Sequence, residues 1–90
     1  MTREFSKPSD LYKDSLSGMK DLIIHNDDFN TFEFVIETLI EVCDHEPEQA
    51  IQCTLIIHNN GKCVVRTGEF ATLQPMYRAI LDRGISATIN

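Results

Sequence analysis

The densest group of reactive side chains in this chain is His25-Asn26-Asp27-Asp28, an imidazole, an amide and two carboxylates in succession. Such a set can bind a cation, hold an ammonium group or move a proton, but Asn and Asp are also the residues that solvated turns and helix caps use most. His58, which follows Leu55-Ile56-Ile57, is the second candidate. At a helix C-terminus the macrodipole favours a protonated imidazole, so a capping role competes there with a ligand-binding one. Neither group decides the matter alone. Taken together they lie beside apolar residues, Phe32 and Val35 near the first and Thr54 and Ile57 near the second, and a greasy pocket with a polar rim would follow. That is the general build of a site for a small ligand or a peptide end.

The elements that must position these residues can be read in order. Leu22-Ile23-Ile24 followed by Asn26-Asp27-Asp28 reads as a buried strand running into a loop. Asn30 with Glu33 three positions on has the form of a capping box, and Phe32, Val35, Ile36, Leu39 and Cys43 then recur at helical spacing, which predicts a helix over 31–43. Pro47 suits the first turn of a second helix with the stripe Ala50, Cys53, Thr54 and Ile57, ended by Asn59-Asn60-Gly61. Cys63-Val64-Val65, closed by Thr67-Gly68, predicts a short second strand. Thr72 as an N-cap would keep Pro75 within the first turn of a third helix carrying Leu73, Met76, Tyr77 and Ile80. Gly84 stops that helix, and the alternation of Ile85-Ser86-Ala87-Thr88-Ile89 predicts a last strand. The order βααβαβ specifies an α+β two-layer sandwich, three helices on a three-stranded sheet.

Bulk properties narrow the function classes. Ninety residues make one domain, and residues 1–20, with no sustained apolar period, read as a flexible tail before a domain over 21–90. Fourteen acidic residues against eight basic ones give a net charge of −6, which argues against a nucleic-acid partner. No apolar run approaches the roughly 20 residues that span a bilayer, and the start MTREFSKPSD lacks an apolar signal core, so a cytoplasmic protein off the membrane is expected. Cys43, Cys53 and Cys63 are odd in number with no CxxC pair, and are expected to be reduced small hydrophobes.

The ordered set Ile24-His25-Asn26-Asp27-Asp28-Phe29, Phe32-Glu33-Phe34-Val35-Ile36, Ala50-Ile51-Gln52 and His58-Asn59-Asn60-Gly61-Lys62 resembles the signature of the ClpS protease adaptors over roughly residues 21–90. The resemblance implies a fold similar to the C-terminal domain of the ribosomal stalk protein and a bacterial, monomeric adaptor without enzymatic activity. It further implies delivery of N-degron proteins to the N-terminal domain of a Clp AAA+ ATPase, with no cofactor and no metal. Carried over by position, Asn26, Asp28 and His58 would hold the substrate's α-amino group, and Asp27 would lie beside the next peptide unit. Asn30, Phe32, Val35, Thr54, Ile57 and Ile85 would line the side-chain pocket. Glu69 and Gln74 would face the ATPase, and the tail would be the extension that the ATPase engages. The sequence departs from the family where Asn30 replaces a common Thr, where Phe32 and Thr54 replace Met, and where Gln74 replaces Lys. Phe32 should narrow the pocket and Thr54 open it; the stretch between Gly61 and Glu69 is also expected to be a loop shortened by about two residues.

An ammonium group has three donors and no acceptor, so amide oxygen, carboxylate and neutral imidazole would suit it. Hydrogen bonds to charged groups contribute about 1.5–3 kcal/mol each, and burial of a Phe or Leu side chain about 1.5–3 kcal/mol. Neither half alone overcomes the entropic cost of association. Two other readings compete. A metal-binding protein or small hydrolase would use His25, Asp27, Asp28 and His58, although no HxxxH pair and no glycine-bracketed nucleophile is present. A generic protein-interaction domain of the same fold would leave the polar turn without a shared ligand. If a neutral His58 accepts from an ammonium, affinity for a peptide with a free N-terminus falls both when the imidazole is protonated at low pH and when the α-amino group loses its proton at high pH. Peptide titrations from pH 5 to 9 check this, and a flat profile contradicts the role given to His58.

Overall fold

The computed structural model describes residues 18–90, so residues 1–17 of the expected tail lie outside it. The expected tail boundary moves toward the N-terminus, because the first strand, β1 (Met19–His25), begins before Asp21, with Met19 paired to Glu69 and Lys20 to Gly68. Helices α1 (Phe32–Cys43) and α2 (Pro47–Asn60), strand β2 (Lys62–Glu69), helix α3 (Phe70–Asp82) and strand β3 (Ala87–Ile89) follow. This is the α+β architecture expected, three helices on a three-stranded sheet.

Strand order is β2-β1-β3, antiparallel on both sides, which places the apolar run Leu22-Ile23-Ile24 in the centre. Leu22 and Ile24 share one face and are fully buried, in one core with Leu39 from α1, Ala50 and Ile57 from α2, and Leu73 and Ile80 from α3. A strand flanked on both sides can be apolar throughout, and Ile23 is buried as well.

Four local readings are corrected. The N-cap of α1 is Thr31, whose Oγ1 accepts from the Phe34 N–H at 3.1 Å, and not Asn30. Asn30 and Thr31 are both good caps, and the tie is broken because the Asn30 side chain is held elsewhere. Helix α3 starts at Phe70, with Glu69 and not Thr72 as its N-cap, so Pro75 lies inside the helix. The missing proline N–H costs a hydrogen bond toward the Ala71 carbonyl, and the burial of Leu73 and Ile80 on either side outweighs it. The second strand, expected short over Cys63-Val64-Val65, is present and runs from Lys62 to Glu69, so the stretch after Gly61 read as a shortened loop is strand, paired along the whole of β1. Finally, β3 is only Ala87–Ile89, because Ile85 is turned into the core and its N–H bonds the Ile80 carbonyl at 3.2 Å.

Pro47 and Gly61 bound α2 as read from the sequence: Pro47 is its first residue, and Gly61, at φ 95°, closes it with a bond from its N–H to the Ile57 carbonyl at 2.9 Å. Arg83 fastens the end of α3 to α1, donating to Thr38 Oγ1 at 3.2 Å and pairing with Glu41 at 2.8 Å. All three cysteines are free; Cys43 is buried, and Cys53 and Cys63 pack partly buried against the core. Burial pushes the Cys43 thiol up to about 11, and burial with the adjoining Cys53 thiol does the same for Cys63, so both are protonated and poorly nucleophilic at neutral pH.

The register of β1 and β2 shifts between Leu22 and Ile23, leaving Val65 as an extra residue. Its carbonyl lies 2.8 Å from Nε2 of the buried His45. A carbonyl only accepts, so Nε2 carries the proton and donates, and Nδ1 is left buried without a partner. His45 thus joins the α1–α2 connection to the sheet bulge. Replacing it, as in His45→Ala, orphans the Val65 carbonyl and opens a void, and is expected to lower stability by about 2–3 kcal/mol in urea unfolding.

Candidate functional site

The loop from Asn26 to Thr31 joins the central strand to α1, and it is held by its own polar side chains. Asp27 Oδ1 accepts from the backbone N–H groups of Phe29 and Asn30, both at 2.9 Å, and Oδ2 accepts from Asn30 Nδ2 at 2.8 Å. Burial pulls the Asp27 carboxyl upward, but the donors from Asn30 and Phe29, with a further one from the Ser86 backbone, outweigh it and set its pKa below the usual carboxylate value. Asn30 Nδ2 also donates to the Gly84 carbonyl at 2.9 Å, which ties the loop to the turn after α3. The Asn26 N–H donates to the Gly61 carbonyl at 2.8 Å and ties it to the end of α2. Phe29 is 92% exposed, so this position serves the turn through its backbone and not the core through its ring.

Between this loop, the start of α1 and the end of α2 lies a cleft of about 380 Å³. Its lining is graded. Asn26, Asp28 and His58 are exposed at the rim, Asn30 and Phe32 are half-buried, and Val35, Thr54 and Ile57 are buried. The Phe32 and His58 rings meet edge to face, with centroids 6.0 Å apart and planes at 82°, which props the imidazole at the rim. Thr54 donates its hydroxyl to the Ala50 carbonyl at 2.7 Å, so its proton is committed within α2 and only its oxygen lone pairs are left over. The lining holds the carboxylates of Asp27 and Asp28 and neither lysine nor arginine, and it therefore favours a cationic group at the rim over an anionic one.

Asn26, Asp27, Asp28, Asn30, Phe32, Val35, Thr54, Ile57 and His58 thus border one cleft. Ile85 does not; it is 2% exposed, and its side chain belongs to the core. Thr31 lines the cleft and was missed, because Asn30 captured the capping role in the sequence. His25 turns away, its Nε2 2.9 Å from Thr88 Oγ1 on β3. Among the described residues, no three His, Cys, Asp or Glu side chains converge as metal ligands. Glu69 is exposed at the start of α3, and Gln74 lines a separate hollow of about 450 Å³ with Phe70, Tyr77, Arg78, Leu81 and Ile89.

The molecule is thus an α+β sandwich carrying an apolar cleft whose lining includes two carboxylates. Residues 17–87 match the family model of the ATP-dependent Clp protease adaptor protein ClpS, and the chain belongs to that family. A ClpS adapter protein of Clostridium acetobutylicum is 49% identical over 43 residues, which cover 48% of this chain and 43% of that protein. One of Erwinia tasmaniensis is 39% identical over 71 residues, covering 77% of this chain and 59% of its own length. The chain spans about half the length of the curated relatives it matches. The solved structure of Agrobacterium tumefaciens ClpS2 bound to L-phenylalaninamide shares the fold, with a TM-score of 0.69 at 19% identity, over 81% of this chain and 95% of that one.

The role of Asp27 in the loop carries a pH signature. A carboxylate whose folded pKa lies below its unfolded value of ~3.9 stabilises the fold above ~3.9, and the contribution disappears as pH falls through the lower folded value. Asp27→Ala, which removes a cap-like set of acceptors, is expected to cost about 1–2 kcal/mol at pH 7 in urea unfolding. The gap between variant and parent should close as the pH is taken below ~3.9, and a gap independent of pH would contradict this account.

Proposed function

We propose that the cleft takes a protein's free N-terminus when its first residue is bulky and apolar, and that the chain delivers such proteins to a Clp AAA+ ATPase–protease. The observation that carries this reading is the grading of the cleft, an apolar interior of Val35, Ile57 and Phe32 beneath an exposed rim of Asn26, Asp28 and His58. L-phenylalaninamide, the ligand of the Agrobacterium relative, is the smallest molecule with the features such a cleft would read: a free α-amino group, a benzyl side chain and an amide standing in for the next peptide bond.

In this reading the ammonium donates to the Asn26 amide oxygen, the Asp28 carboxylate and the neutral His58 ring, each of which can accept. The side chain displaces water from Phe32, Val35 and Ile57. Asp27 acts mainly by holding the loop, since both of its oxygens already accept from Phe29 and Asn30. The chain performs no chemistry of its own, works as a monomer in the cytoplasm, and contacts the N-terminal domain of the ATPase through Glu69 and Gln74. No helix among the described residues is long and apolar enough to cross a membrane.

A peptide beginning with Phe is expected to bind, and its N-acetylated twin to bind more than about 100-fold more weakly, because acetylation removes the charge and two donors. Fluorescence anisotropy decides it. Equal affinity for the two peptides would falsify the ammonium site.

A further inference from the structure

Asn30 carries two amide protons and one carbonyl oxygen, and the partners of its Nδ2 fix how the group is turned. Asp27 Oδ2, at 2.8 Å, and the Gly84 carbonyl, at 2.9 Å, can only accept, so both protons are committed and the amide cannot be flipped. The oxygen is therefore what this half-buried side chain has left to offer the cleft it lines. Among the described residues Oδ1 has no hydrogen-bond partner, and it is not among the fully buried, unsatisfied atoms.

Of the neighbouring hydroxyls, Thr54 gives its proton to the Ala50 carbonyl and Thr31 Oγ1 serves as the helix cap, so each is already part-committed, whereas the Asn30 amide oxygen has no partner among the described residues. An apolar ring entering the cleft would strip water from Asn30 Oδ1 and leave an acceptor unpaired. A ring bearing a hydroxyl would replace that water with its own O–H.

We propose that Asn30 makes this cleft select a side chain with a hydrogen-bond donor on its ring, so that an N-terminal tyrosine is held more tightly than an N-terminal phenylalanine. The inference rests on the proposed recognition of a free N-terminus and adds a specificity-determining residue to it. Because Asn30 is half-buried, the advantage is that of one modest hydrogen bond, about 3- to 10-fold in affinity.

The test uses peptides identical except for the first residue: tyrosine, phenylalanine, and 4-methylphenylalanine, which keeps the size of the phenol without its O–H. Calorimetric titration of the whole chain should give tyrosine about 3- to 10-fold tighter binding than both of the others. In Asn30→Leu, which keeps the branched shape but removes the acceptor, the tyrosine-to-phenylalanine ratio should fall to about one. The ratio isolates the acceptor, since any loosening of the loop weakens all three peptides together. Tyrosine binding no tighter than 4-methylphenylalanine, or a ratio that survives the substitution, overturns the proposal. Failure of all three free-amine peptides to bind would instead sink the functional reading beneath it.

Discussion

The chain leaves the central strand after His25 and must be in helix by Phe32, and the hydrogen bonds from Phe29 and Asn30 to the Asp27 carboxylate are what hold that change of direction. The rim follows from it. Asn26 and Asp28 flank Asp27 in sequence, so their placement is set once Asp27 is fixed, and the Asn26 N–H to Gly61 bond brings them to the end of α2 where His58 stands. Asn30 extends the same network to Gly84. One carboxylate therefore coordinates three segments that are far apart in sequence. Its depressed pKa records that its charge is stabilised by the loop it organises.

This arrangement separates the work of residues that look alike in sequence. Asp27 and Asp28 are neighbours of the same type, yet one is committed internally and the other is exposed at the rim. The two pocket residues Asn30 and Thr54 likewise spend their protons inside the protein, Asn30 on Asp27 and Gly84 and Thr54 on Ala50. Substitution of a polar residue into an apolar cleft is tolerable on these terms, because a buried donor with a partner costs far less than one without. Thr54 keeps only its hydroxyl lone pairs, whereas Asn30 keeps a whole amide oxygen that a ligand could address.

The sequence made the architecture legible because its strongest signals were local. A fully apolar run bounded by Asn and Asp specified a buried strand, and Pro47 with Gly61 delimited α2 at both ends. What it did not make legible depended on tertiary partners. Two consecutive capping residues, Asn30 and Thr31, could not be ranked until Gly84 claimed the first. Pro75 argued for a helix beginning later than it does, because the compensating burial of Leu73 and Ile80 is a property of the core and not of the segment. Most of the cleft was legible, since its residues cluster near loops with unusual composition. Ile85 was not, because a residue next to a loop can turn either to the cleft or to the core, and packing alone decides.

The central strand is also the first element of the described fold, and its two partners come late: Met19 pairs with Glu69, and Leu22 with Ile89. During synthesis β1 and the cleft loop therefore emerge long before the strands that complete their sheet. Such non-local pairing must bear the loop-closure entropy before it gains any contact, which makes folding slow relative to a helical bundle of equal size. The half-made chain can neither shield Leu22, Ile23 and Ile24 nor anchor Asn30 to Gly84. The cleft loop is therefore complete only once Gly84 and the strand that follows it are in place.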